Sequence, residues 1–88
     1  MKITLTYFAQ IRRSAGVETE TVVVDYGTTL QGALKGVDHG VGFSELLFDG
    51  TGALRPVILL VVNGLPAEPE RKLEDNDHVQ VFSPVSGG

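Results

Sequence analysis

His78-Val79-Gln80-Val81-Phe82-Ser83-Pro84-Val85-Ser86-Gly87-Gly88 closes the chain, and its reading decides the fold. Residues 78–82 alternate, with Val79 and Val81 on one side and His78, Gln80 and Phe82 on the other, the period of a half-buried strand. Pro84 has no N–H to give a ladder, so it stops that strand. Beyond it lie only small or β-branched uncharged residues, two glycines and a free carboxylate. Nothing in that segment can bury itself, so the spacing predicts a folded domain over 1–82 and a flexible tail over 83–88.

Working back from this strand, Glu74-Asp75-Asn76-Asp77 reads as a polar turn. Leu65 to Leu73, with Pro66 and Pro69, reads as an irregular connection. Val57-Ile58-Leu59-Leu60-Val61-Val62 is apolar on both alternations and predicts a strand buried on both faces at the sheet centre. Asn63-Gly64 follows, the pair suited to a type I′ turn because both positions need positive φ. At the other end, Ile3, Leu5 and Tyr7 alternate with Thr4, Thr6 and Phe8. Residues 9–17 break the alternation and predict a loop, and Glu18 to Val24 supplies the second arm of an antiparallel hairpin.

Between the hairpin and the apolar run, Thr28 and Thr29 are N-cap candidates for a helix whose stripe is Leu30, Leu34 and Val37, with Ala33 beside it. Gly32 and Gly36 weaken that helix by about 1 kcal/mol each relative to alanine, and Gly40 and Gly42 are expected to end it. Phe43, Leu46, Leu47 and Phe48 suggest one more turn capping the core, before a turn at Asp49-Gly50-Thr51-Gly52. The sum is an α+β domain: a mixed sheet with one helix packed across one face, its first and last strands parallel at the centre.

Composition narrows the function. The chain has 88 residues, enough for one core, and no cysteine, which excludes a disulfide scaffold, a thiolate zinc site and a cysteine nucleophile. Seven bases against eleven acids give a net charge of −4, which disfavours nucleic-acid binding. Residues 1–17 hold Lys2, Arg12 and Arg13 and no acid, whereas five acids fall within 68–77; that acidic run is either a solvated face or a docking surface. No signal peptide is visible, and the longest apolar run, six residues, is far below the roughly 20 that span a bilayer, so a soluble, cytoplasmic protein without a membrane partner is expected.

Other candidate sites are weak. His78 beside Asp77 is an acid–base pair or an exposed strand residue, and His39 is expected to be exposed in a loop. The acids of 68–77 lack the pattern of a calcium loop, and no metal site is expected. Gly50-Thr51-Gly52 does not follow a strand and open a helix, as a phosphate loop should. The tail is different. A terminal carboxylate becomes reactive once joined to a nucleotide as a mixed anhydride, and glycine leaves its carbonyl open to attack and lets the chain enter a narrow channel. Ordering such a tail costs about 1–2 kcal/mol per residue, which docking of the folded body must offset. An apolar patch near the tail is therefore expected, with Phe8 and Phe82 as contact candidates. Arg12 would hold a partner's acidic surface or be merely solvated.

Three stretches resemble the ubiquitin-like sulfur-carrier family that includes the small subunit of molybdopterin synthase and the thiamin-pathway carrier. They are Tyr7-Phe8-Ala9-Gln10-Ile11-Arg12 with Gly16, Val62-Asn63-Gly64, and Leu73 to Val79 running into Phe82-Ser83-Pro84-Val85-Ser86-Gly87-Gly88. The ending Pro-Val-Ser-Gly-Gly is similar to the molybdopterin branch, although Ser83-Pro84 stands where many of those carriers have two prolines. The resemblance implies a β-grasp fold and a carrier with no active site and no bound cofactor of its own. It implies that a ubiquitin-activating-type enzyme adenylates Gly88 with ATP, and that a sulfur donor of the cysteine desulfurase or rhodanese type makes the thiocarboxylate. The large synthase subunit would then receive the tail, with Gly87 giving clearance and Pro84, Val85 and Ser86 positioning it. The same activated terminus would serve a protein modifier joined to lysines, or a carrier for tRNA thiolation or cysteine synthesis. Residues 43–56 look longer than in the compact members and closer to such relatives.

Overall fold

A computed structural model describes residues 1–83. Strand β1 (Lys2–Tyr7) is followed by helix α1 (Ala9–Ala15), β2 (Thr19–Val23), α2 (Leu30–Gly36), α3 (Gly40–Leu47), β3 (Leu59–Val62), the two-residue β4 (Leu65–Pro66) and β5 (His78–Phe82). The strands form one sheet in the order β2-β1-β5-β3-β4. β1 and β5 run parallel, with Thr4 opposite His78 and Tyr7 opposite Val81, and the remaining pairs are antiparallel. The parallel pairing of the two terminal strands agrees with the expectation from the order of elements.

One face of the sheet carries the core. Ile3, Leu5 and Tyr7 from β1, Val79 and Val81 from β5, and Leu60 and Val62 from β3 are buried against Leu30, Ala33 and Leu34 of α2 and Phe43 and Leu47 of α3. Burying side chains of this size contributes about 1.5–3 kcal/mol each. α2 begins as its sequence suggests. The Thr29 hydroxyl accepts from the Gly32 N–H at 3.1 Å, while the Leu30 and Gln31 N–H groups donate to the carbonyls of Arg71 and Pro69. The first turn therefore leaves none of these three donors orphaned. The irregular segment before β5 thus serves as the clamp on the helix.

Several expectations are corrected. Residues 9–17 are not a loop: α1 forms there, buries Ile11 and closes at Gly16, whose φ of 79° lets its N–H reach the Arg12 carbonyl at 3.0 Å. A seven-residue helix with one buried side chain has too short an apolar stripe to register as periodic. Gly40, expected only to end α2, opens α3, so three helices flank the sheet where one was expected. Its φ of 90° makes the turn, and its N–H donates to the Asp38 carboxylate at 3.2 Å. The apolar run 57–62 does not lie at the sheet centre. β5 does, and β3 is one strand in from the edge with Leu59 54% exposed. Asn63 and Gly64 adopt φ of 51° and 86°, as their turn requires.

Candidate functional site

The far face of the sheet holds the candidate site. Phe8 follows β1 in extended geometry (φ −127°, ψ 151°), so its side chain continues the alternation of Thr4 and Thr6 on the face away from the core. Tyr7 lies opposite Val81, which brings Phe8 beside Phe82 on the parallel neighbour. The two rings stack with centroids 4.4 Å apart and planes 8° from parallel. Across the other seam of β5, Leu59 sits opposite Phe82. Phe8, Phe82 and Leu59 thus form an apolar strip over three strands, at the end of the sheet where β5 runs out toward the terminus.

The two phenylalanines, expected in an exposed apolar patch, are neither fully exposed nor part of the core. The structure gives something between: both rings are half-buried because each covers the other, and Leu59 beside them stays open to solvent. Leu59 was missed at the sequence level. The run 57–62 shows no alternation, and only the register of β3 against β5 reveals which of its faces is bare. None of the strip's neighbours on this face, Thr6, Gln80 and Val61, can ionise. Among the described residues, this end of the sheet offers an apolar contact surface with no ionisable side chain on the paired positions beside it. Arg12 is exposed on α1, 3.8 Å from Glu18, a surface pair worth little in water. Pro84, Val85, Ser86, Gly87 and Gly88, expected to be the reacting tail, lie outside the described residues.

At the opposite end of β5 the polar residues turn inward. Asp77 is buried and accepts from the Asn63 amide at 2.8 Å, the Glu74 N–H at 2.8 Å and Arg71 at 3.1 Å. Burial works to raise its carboxyl, but these donors outweigh that and hold it below the usual carboxylate range. The suggested His78–Asp77 acid–base pair is therefore not built: Asp77 is engaged elsewhere and His78 is exposed. His39 is likewise not an exposed loop residue. Its Nε2 lies 2.5 Å from the Glu20 carboxylate oxygen that also accepts from the Tyr7 hydroxyl at 2.5 Å, and its ring meets Tyr7 and Phe43 edge-on. Burial, then the hydrogen bond to Glu20 and the charge of that carboxylate, push the Tyr7 phenol far up. These groups lock β1, β2 and the α2–α3 turn together. Among the described residues no group of three His, Cys, Asp or Glu side chains could hold a metal, and no helix is long and apolar enough to cross a membrane.

A mixed sheet with parallel terminal strands at its centre, helices on one face and an apolar strip at the exit of the last strand is a ubiquitin-like β-grasp domain. The chain belongs to the ThiS family, whose model matches residues 5–88, and so to the ubiquitin-like sulfur carriers and modifiers. Among solved structures it is similar to SAMP1 from Haloferax volcanii, at 29% identity over 100% of each chain with a TM-score of 0.90. It is also similar to a putative molybdopterin converting factor subunit 1 from Pyrococcus furiosus, at 28% identity over 97% of this chain and 99% of that one, TM-score 0.77. Urm1 from Trypanosoma brucei matches at 28% identity over 99% and 95%, TM-score 0.72. Comparison with curated protein sequences returns no match.

Proposed function

We propose that this chain is a sulfur carrier whose reacting group is the Gly88 carboxylate, and that it serves molybdopterin synthesis as the small subunit of the synthase. The carboxylate attacks the α-phosphorus of ATP in a ubiquitin-activating-type enzyme, and pyrophosphate leaves. The persulfide of a sulfur donor of the cysteine desulfurase or rhodanese type then displaces AMP to give an acyl disulfide. A second thiol cleaves its S–S bond, leaving the thiocarboxylate on Gly88 and the donor joined to that thiol as a disulfide. The large synthase subunit takes up the thiocarboxylate. Gly87 gives clearance at the carbonyl, and Pro84, Val85 and Ser86 position the tail. The carrying observation is the Phe8–Phe82–Leu59 strip where β5 departs for that terminus. It gives an enzyme apolar area to grip, and this contact offsets the ordering of the tail. The likeness to the Pyrococcus furiosus protein supports the molybdopterin branch.

A second reading, a modifier joined to lysines through Gly88, is favoured by the fit to SAMP1, whose name denotes a small archaeal modifier protein. Both readings share the activated terminus. An alanine added after Gly88 should abolish activation with folding unchanged; normal thiocarboxylate formation by that variant would refute the terminal role. Intact mass spectrometry of native protein should show sulfur in place of one oxygen. An immunoblot of whole cells separates the branches, since a lone free band supports the carrier and a ladder of heavy conjugates supports the modifier.

A further inference from the structure

β2 is an edge strand with an unused side. The Tyr7 N–H donates to the Glu18 carbonyl, the Val24 N–H donates to the Met1 carbonyl, and the N-terminal ammonium donates to the Val24 carbonyl. In an antiparallel pair this places the backbone groups of Glu18, Glu20, Val22 and Val24 toward β1. The N–H and C=O groups of Thr19, Thr21 and Val23 therefore point away from the sheet, and no backbone partner meets them among the described residues. Beside this edge runs a groove of about 440 Å³ between β2 and α2, with Val22, Val24, Ala33 and Val37 in its walls. The helix wall is low because Gly32 and Gly36, one turn apart, present no side chain. A Cβ built on Gly36 would meet no atom within 4 Å.

We propose that this edge and groove form a second docking site, which takes an extended, aliphatic segment of a partner protein flanked by lysine or arginine. The segment adds a strand to the sheet beyond β2. Its backbone pairs with Thr19, Thr21 and Val23, and alternate aliphatic side chains drop over Gly36 into the groove. The sign of the flanks follows from the rim. Asp38 lines the groove and Asp25 follows β2; Glu20 also lines it but is held by His39, which shares the lining, and no lysine or arginine lines it among the described residues. Asp25 and Asp38 form no ion pair among the described residues. A second copy pairing through its own β2 would bring these acids together, so the charge selects a basic partner over self-association. The site lies on the flank of the sheet away from β3 and shares no residue with the Phe8–Phe82–Leu59 strip. It can therefore be filled while the terminus is engaged.

The test uses the full chain, isotope-labelled, titrated with the peptide KRVTVTVRK. Saturable binding should shift the amides of Thr19, Thr21, Val23, Ala33 and Val37 and slow hydrogen exchange at the three edge amides. Gly36→Leu, which fills the groove, and Thr21→Pro, which removes one free edge donor, should each weaken binding by about tenfold or more. Replacing the four basic residues of the peptide by glutamate should do the same on the unaltered protein, with no variant required. The proposal fails if binding does not saturate, if the shifts fall on Phe8, Leu59 and Phe82, or if the acidic peptide binds equally well. It also fails if Gly36→Leu binds as tightly as the unaltered chain, or if the chain without peptide is a dimer joined through β2.

Discussion

The two ends of β5 spend their side chains in opposite ways. At the start of the strand, Asp77 is buried and collects donors from Asn63, Glu74 and Arg71. At its end Phe82 is covered only by Phe8, with Leu59 54% exposed alongside. The first arrangement fixes three connections at once, since Asn63 sits in the β3–β4 turn, Arg71 in the clamp on α2, and Glu74 in the turn that enters β5. The second leaves apolar area in water that a freely folding domain would cover. Polar groups satisfied inside serve stability, and apolar groups left outside serve association.

The contrast can be broken most forcefully at Asp77. Asp77→Ala strands the Asn63 amide and the Arg71 guanidinium, and should lower the unfolding free energy by about 3 kcal/mol in urea titrations. Since the folded carboxyl titrates below its unfolded value, the stability it contributes is complete above about pH 4 and is lost as pH falls through the lower folded value. The urea midpoint of the native chain should therefore drop more steeply below about pH 4 than that of Asp77→Asn; parallel curves would remove Asp77 as the source.

At the other end the effects should change sides. Leu59→Asp, at an exposed position, should alter stability by only about 0.5 kcal/mol. Yet it should slow ATP-dependent activation of Gly88 by about tenfold, because a carboxylate would face a desolvated contact. A full rate would show that the strip is not the docking surface. Arg12→Glu should be the smallest perturbation. It places a carboxylate beside Glu18 and should weaken binding to the activating enzyme by only about two- to fivefold, with thermal stability nearly unchanged. Unchanged affinity would assign Arg12 to solvent alone.

Legibility followed periodicity. β1 and β5 alternate cleanly, so their buried faces could be read directly, and Thr29 marked the start of α2. α1 escaped notice because a helix of seven residues with Ile11 as its one buried side chain offers no repeat to detect. α3 was half seen: Phe43 and Leu47 marked a turn, but Gly40 read as a stop, since a glycine at positive φ equally well ends one helix or starts the next. His39 was misplaced because its surroundings come from Glu20, Tyr7 and Phe43, and only Tyr7 and Glu20 are neighbours through strand pairing. Phe8 and Phe82 were identified as a pair of outward residues, whereas their stacking and the role of Leu59 required the register.

The amino-acid order alone determined an α+β domain and the buried faces of β1 and β5, since strand period acts locally on the backbone. What needed the folded chain was every relation across strands: β5 and not β3 at the centre, Leu59 beside Phe82, Asp77 among its donors, and the open edge of β2 over Gly36. Those relations depend on which segments pair and in what register, and a one-residue slip would turn each of these side chains to the opposite face.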